Sequence, residues 1–184
     1  MPEIDDNLDA PVLLVDANDQ PTGTASKWDA HKKGWLHRAF SLIVFNDSGE
    51  ILLQQRANSK YHSAGLWTNT CCSHPHVDEA IEAAIHRRLQ EEMGFDCTIT
   101  FVDTLHYQSP ALDNGLVENE LIHLYTGTTE RDEFRPNAHE VRDWRWVAPD
   151  ALKMEVASRP DDFSYWLQVY LARFDLGKLA TRHA

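Results

Sequence analysis

The 184 residues carry 17 Lys and Arg against 29 Asp and Glu, a formal net charge of -12, with 42% hydrophobic residues, 25% charged, eight Gly and eight Pro. A chain of this length and make-up is expected to form one soluble globular domain with a real core, and no apolar run is long enough to span a membrane. The acidic balance argues against a nucleic-acid partner, because such binding rests on basic surface that neutralises phosphates. It also makes any local cluster of Lys and Arg more informative, since the overall field would otherwise repel an anion.

The opening MPEIDDNLDAP is acidic and has neither a basic-then-apolar signal nor an arginine-rich amphipathic pattern, so a cytoplasmic protein is expected. Three cysteines cannot all pair, and the neighbours Cys71 and Cys72 are badly placed to pair with each other. Reduced thiols rather than a disulfide framework follow. No internal repeat, low-complexity tract or flexible linker interrupts the chain.

PVLLVD at 11–16 predicts an early strand. Residues 39–56 place two apolar runs around Asn46-Asp47-Ser48-Gly49, turn formers that predict a β-hairpin. Ile81, Ala84, Ile85 and Leu89 recur at helical spacing, so a helix is predicted over 78–93, with Asp78 as its cap and Gly94 as its stop. β-branched and aromatic content predicts strands at 97–108, 117–127 and 141–147. Phe163, Trp166, Leu167, Tyr170, Leu171 and Phe174 mark the buried face of a last helix. The sum is an α/β or α+β domain, a mixed sheet covered by helices, with its topology not readable from pattern.

Candidate chemistry begins at VENE, 117–120, where Glu118 and Glu120 are two apart in a predicted strand. They would project from one face about 7 Å apart and need a cation between them. A solvated strand face is the plainer reading, weakened by the apolar neighbours Val117, Leu121 and Ile122. His31 and His37 flank KKGWL, while His74 and His76 flank Pro75, all in segments that read as loops. A set of imidazoles and carboxylates suits a divalent ion such as Zn, Mn or Mg.

NTCCSHPH at 69–76 raises a rival, a structural zinc on Cys71, Cys72, His74 and His76. Adjacent cysteines seldom turn both sulfurs to one ion, and no second C-x-x-C completes the pattern. The predicted helix carries Glu79, Arg87, Arg88, Glu91 and Glu92, which as a plain reading form a solvated face.

The order S-x5-E-x7-R-R-L-Q-E-E-M-G-F over 73–95 resembles the Nudix box, with Ser73 in place of the opening Gly and Arg88 in place of a Glu. In Nudix hydrolases that glutamate helps gather Mg, so an arginine there removes a metal ligand and offers a phosphate partner. This altered box is similar to that of the type I isopentenyl-diphosphate delta-isomerases. The likeness extends to PTGTASKWDAH, LHRAFS, RANSK, GLWTNTCCSHP, VENE and SYW, in order along nearly the whole chain.

The resemblance implies a Nudix fold over 1–184, with 1–35 as an N-terminal extension packing on the core. It implies an isomerase that interconverts isopentenyl and dimethylallyl diphosphate, in a monomer or weak dimer whose partner is this small prenyl diphosphate. His31, His37, His74, Glu118 and Glu120 would bind one divalent cation (Mn, Zn or Mg). Glu92 would hold a Mg ion that also meets the diphosphate. Lys27, Arg56, Lys60 and Arg88 would hold the diphosphate itself, and singly each would be a routine surface charge. Cys72 as thiolate and Glu120, helped by Tyr107, would exchange protons with opposite sides of the substrate. Trp166 would face the carbocation, although it also fits the apolar stripe of the last helix. The alternatives are a Nudix diphosphate hydrolase, against which Arg88 speaks, and a silent diphosphate-binding module, against which the set of Cys72, Tyr107, Glu118, Glu120 and Trp166 speaks.

Overall fold

The segment His37–Phe45 reads HRAFSLIVF, with Leu42 through Phe45 apolar without a break, as expected of a strand covered on both faces. It forms β3, the strand around which the sheet is organised. The computed structural model describes residues 7–112 and 114–181. Residues 1–6 of the expected N-terminal extension lie outside them.

The preceding strands β1 (Pro11–Val15) and β2 (Pro21–Ser26) pair antiparallel, and β1 meets β3 at Leu14 and His37. Between them and β3 lies a helix, α1 (Lys27–Lys33), capped by the Ser26 side chain accepting from the Asp29 N–H and closed by Gly34 in the left-handed region. After β3 come β4 (Ile51–Arg56), β5 (Trp67–Thr68) and β6 (Cys71–Ser73). The turn between β3 and β4 is held by Asn46, whose side-chain oxygen accepts from the N–H groups of Ser48 and Glu50.

Helix α2 (Ile81–Met93) follows, then β7 (Ile99–Gln108), β8 (Asn119–Thr128) and β9 (Val141–Val147). Helices α3 (Pro149–Ser158), α4 (Tyr165–Arg173) and α5 (Leu176–Ala180) complete the described chain. The sheet is mixed. β8 runs parallel to β3 over nine paired positions, while β4 and β6 pair antiparallel with β3, β7 with β8 and β9 with β4.

Alternate residues of β3 feed two cores. Phe40, Leu42 and Val44 pack with Ala84, Ile85, Leu89 and Met93 of α2. Ile43 and Phe45 pack with Leu167 and Tyr170 of α4 and with Leu176 and Leu179 of α5. Each fully buried aliphatic side chain contributes about 1.5–3 kcal/mol by leaving water, so the helices on the two faces hold the central strands rigid. No helix among the described residues is long and apolar enough to cross a membrane.

The structure corrects several expectations from sequence. Asp78 does not cap α2: it sits at φ 69°, and the helix starts after Ala80 with no side-chain cap. His31 lies in α1 and His37 opens β3, so neither is in a loop. Glu118 stands one residue before β8, its carbonyl accepting from the Ser109 N–H. The predicted last helix is α4, with the short α5 after it: Phe163 precedes α4 in an isolated bridge with Trp67, and Phe174 caps α4 instead of lying within it. A residue in a bridge or at a cap can be apolar and packed without belonging to the helical stripe, which spacing alone cannot reveal.

Gly94 ends α2 at φ 75°, and a Cβ there would lie 2.5 Å from the Arg135 carbonyl oxygen. Gly94→Ala is expected to destabilise the fold by about 1–3 kcal/mol from backbone strain alone, read as a lower urea midpoint. An unchanged midpoint would contradict the close approach.

Candidate active site

Strand register assembles the site. The parallel pairing sets His37 of β3 opposite Glu120 of β8, and the antiparallel pairing of β7 sets Tyr107 opposite the same Glu120. Across β3, Ser41 pairs with Cys72 of β6. His31 arrives on α1 and His74 just beyond β6. Cys72, His74 and Glu120 line a pocket that also receives Lys27, Arg56, Lys60, Arg88 and Trp166.

Backbone carbonyls fix the imidazole tautomers. His31 Nδ1 donates to the Lys27 carbonyl at 2.7 Å and His37 Nδ1 to the Trp35 carbonyl at 2.8 Å. A carbonyl can only accept, so in the neutral rings both Nε2 atoms keep a lone pair for the pocket. His37 Nε2 and His74 Nε2 lie 3.1 Å apart, and Glu120 Oε1 is 3.0 Å from His74 Nε2 and 3.5 Å from His37 Nε2. The second oxygen, Glu120 Oε2, accepts from the Tyr107 hydroxyl at 2.7 Å.

Glu118 Oε2 lies 3.5 Å from His31 Nε2, and its Oε1 lies 3.0 Å from His62 Nε2. His31 Nε2 and Glu118 Oε1 are buried with no hydrogen-bond partner. Buried polar atoms left without partners are costly, and a divalent cation would satisfy both. Among the described residues two donor groups can hold one: His31, His37, His74 and Glu120, and His31, His62 and Glu118, with donor atoms in each all within 4.8 Å of one another. The chemistry of this set, imidazole and carboxylate, fits a borderline or hard divalent ion.

The electrostatics agree with a cation-seeking site. Burial alone would raise both glutamates. The adjoining His62 and His31 outweigh it and hold Glu118 well below the usual range, while burial and Glu118 act upward on Glu120 but His37 and His74 bring it to about 2. Burial takes His74 down to about 4 and lowers His62, leaving neutral imidazoles at neutral pH. Burial opposes protonation of His31 as well, but the charge and hydrogen-bonding capacity of Glu118, with Glu120 behind it, raise that residue.

Cys72 differs from the thiolate expected from sequence. Its Sγ donates to Asn69 Oδ1 at 3.2 Å and lies 3.0 Å from Ser41 Oγ. Burial pushes the thiol up to about 12 against the opposing influence of those two hydrogen bonds. Without a bound cation it is therefore a neutral thiol. Cys71, one residue earlier on β6, points to the other side of the sheet and joins the α2 core, its thiol 3.6 Å from Glu92 Oε1.

The cationic residues form a second cluster. Arg88 donates to Glu92 Oε1 at 2.9 Å, to Glu140 Oε1 at 3.1 Å and to Glu91 Oε2 at 2.8 Å. Lys60 donates to Glu140 Oε2 at 2.7 Å, and Gln54 donates to Glu92 Oε2 at 2.8 Å. The Arg56 guanidinium lies 5.4 Å from the centre of the Trp166 ring, a cation–π arrangement. Arg87, by contrast, turns to Glu79 in two 2.8 Å bonds and straps the approach to α2 onto the helix.

The pocket thus gathers Cys72, Glu120 and Trp166, the carboxylates Glu92 and Glu118, His74, and the four cations Lys27, Arg56, Lys60 and Arg88. His31, His37 and Tyr107 stand behind that lining, touching Glu118 or Glu120. The four-ligand zinc alternative is not assembled. Cys71 and Cys72 face opposite sides of the sheet, as neighbours on a strand must, and His76 is 59% exposed beside Glu79.

His62 and Glu140 were not foreseen from sequence. His62 could have been noticed as a histidine between Lys60 and Trp67, next to the RANSK stretch. Glu140 carries no local signal, since only the fold brings β9 to Lys60 and Arg88.

Comparison with known proteins gives the context. Residues 35–167 match the NUDIX domain. A Photorhabdus laumondii protein named isopentenyl-diphosphate Delta-isomerase 2 is 48% identical over 161 residues, 88% of this chain and 90% of its own. An isopentenyl-diphosphate Delta-isomerase of Burkholderia multivorans is 44% identical over 165 residues, 90% of this chain and 93% of its own. A crystal structure from Deinococcus radiodurans shares the fold with a TM-score of 0.69 at 16% identity, over 94% of this chain and 98% of that one.

Opposing burial, Lys60 and Arg88 hold the Glu140 carboxyl at about 2. A depressed carboxyl stabilises the fold above the unfolded value and loses that contribution as pH falls through the folded one. Glu140→Gln is therefore expected to cost about 3 kcal/mol at pH 7 by leaving two buried cations underpaired, and the gap to wild type narrows below about pH 4.5. Urea unfolding at several pH values measures it, and a gap that widens on acidification would refute the pairing.

Proposed function

We propose how the site works in a chain that belongs to the isopentenyl-diphosphate Delta-isomerase family, on a NUDIX fold. The protein is an isomerase acting on isopentenyl diphosphate. The reaction adds a proton to the terminal carbon and removes one from the other side, through a tertiary carbocation, to give dimethylallyl diphosphate.

The observation that carries this reading is that one cavity has a thiol and a carboxylate beside an imidazole cluster, with four cations toward the diphosphate end. Lys27, Arg56, Lys60 and Arg88 bind the diphosphate, the guanidinium groups by paired N–H donation. Arg88 stands where a hydrolase keeps a metal-binding glutamate, so the diphosphate is held rather than split. Glu92 is placed to share a Mg ion with phosphate oxygens.

His31, His37, His74, Glu118 and Glu120 would hold the divalent cation (Mn, Zn or Mg). When bound, it supplies positive charge that keeps Glu120 oriented and ionised. Cys72 and Glu120 are the acid/base pair: because the reaction is reversible, the group that donates in one direction accepts in the other. Tyr107, donating to Glu120 at 2.7 Å, fixes that carboxylate and can relay its proton. Trp166 is 4% exposed and offers an indole face to the cationic carbon while excluding the water that would trap it.

Cys72→Ala is expected to lower kcat by at least 10²–10⁴, the range typical of general acid–base groups. Cys71→Ala should stay within about tenfold of wild type, because its side chain faces the α2 core. The reverse ranking would overturn the assignment. Chelation should abolish turnover and added Mn or Mg restore it, with no phosphate released at any stage; activity that survives chelation, or phosphate release, would refute the reading.

A further inference from the structure

His62 lies on the segment between β4 and β5, is 8% exposed, and belongs to the second donor group beside Glu118, but the reaction as proposed gives it no role. Its Nε2 is 3.0 Å from Glu118 Oε1, yet that oxygen has no hydrogen-bond partner, so no N–H is aligned between them. For bonds of about 2.1 Å, neighbouring ligands on one octahedral ion lie roughly 3 Å apart. The spacing fits two donors to a common ion as well as it fits a hydrogen bond. His62 Nδ1 lies 3.2 Å from Ser63 Oγ, which can orient the ring as backbone carbonyls orient His31 and His37.

The two donor groups share His31 alone. His31 Nδ1 is committed to the Lys27 carbonyl, so Nε2 has a single lone pair and can serve one ion. Two separate cations cannot both use it. Read as two halves of one shell, which must draw together on an ion because their donor atoms do not all lie within 4.8 Å of one another, the groups supply six donors.

We propose that His62 is itself a ligand of the catalytic cation, joining His31, His37, His74, Glu118 and Glu120 in a shell of four imidazoles and two carboxylates. The inference rests on the metal site proposed above. It has a structural consequence. His62 is tied to the residues that meet the diphosphate, its carbonyl accepting from Arg56 at 3.1 Å, and Lys60 is two positions away. Metal loading thereby fixes the segment that grips the substrate's charged end.

The test is the proton NMR spectrum of the Co²⁺-loaded protein in water and in D₂O. Each imidazole bound through Nε2 gives one exchangeable, hyperfine-shifted Nδ1–H resonance. Four are expected for wild type and three for His62→Gln, with the Co²⁺ dissociation constant of the variant raised about tenfold or more. Three resonances in wild type, or four in both proteins, would overturn the role of His62 and leave the metal site standing. No shifted imidazole resonance at all would instead overturn the metal site. The wild-type count is decisive against the proposal even if the variant does not fold.

Discussion

The parallel pairing of β3 with β8 is the constraint on which the site depends. It sets His37 against Glu120, and the neighbouring pairing with β7 sets Tyr107 against the same carboxylate. A shift of one residue in either register would turn Glu120 to the opposite face of the sheet. The two cores that clamp β3, one under α2 and one under α4 and α5, therefore do more than stabilise the fold. They fix the alternation that sends Glu120 into the pocket and Leu121 and Ile122 into buried positions beside it.

That constraint explains why buried charge is tolerated here. Glu118 and Glu120 are 2% and 7% exposed, and like charges in so dry a setting are strongly unfavourable unless something positive lies between them. The structure supplies imidazoles with committed tautomers, whose lone pairs cannot neutralise a carboxylate by themselves. His31 and His37, each held by a carbonyl behind its ring, turn Nε2 toward these carboxylates, an arrangement suited to a preorganised cation site. The orphaned His31 Nε2 and Glu118 Oε1 are the local record of that design.

How much of this was legible in the sequence follows from how local each signal is. The box that spans 73–95 is one turn and one helix, so its spacing survives in the sequence, and Arg88, Glu92 and the stop at Gly94 fall where periodicity puts them. The candidate ligands His31 and His37 were readable as residues but not as structure, because α1 is a seven-residue helix too short to show a repeat. Glu140 was invisible: it reaches Lys60 across 80 residues, and only strand pairing between β4 and β9 creates the contact. The thiol state of Cys72 in the metal-free protein was hidden for a similar reason. A cysteine near a predicted cation site invites a thiolate, but burial pushes this thiol up to about 12 against the opposing influence of its hydrogen bonds to Ser41 and Asn69.

The charge balance of the pocket makes the last step. Its lining holds four cationic side chains, Lys27, Arg56, Lys60 and Arg88, and four carboxylates, Glu92, Glu118, Glu120 and Glu140. Before any ligand arrives these nearly cancel, and Lys60 and Arg88 are already engaged with Glu140. A diphosphate ester brings several negative charges into that balance and cannot be held by the side chains alone. In the proposed reading, divalent cations at the imidazole cluster and at Glu92 would offset that charge and let the basic groups turn from carboxylate to phosphate. The arginine at the place of a box glutamate, Arg88, fits the same proposed balance: it trades a group that would gather metal for cleavage for a fixed positive charge that would grip the diphosphate. In the same reading the proton transfers fall to Cys72 and Glu120, which the sheet register brings to one pocket.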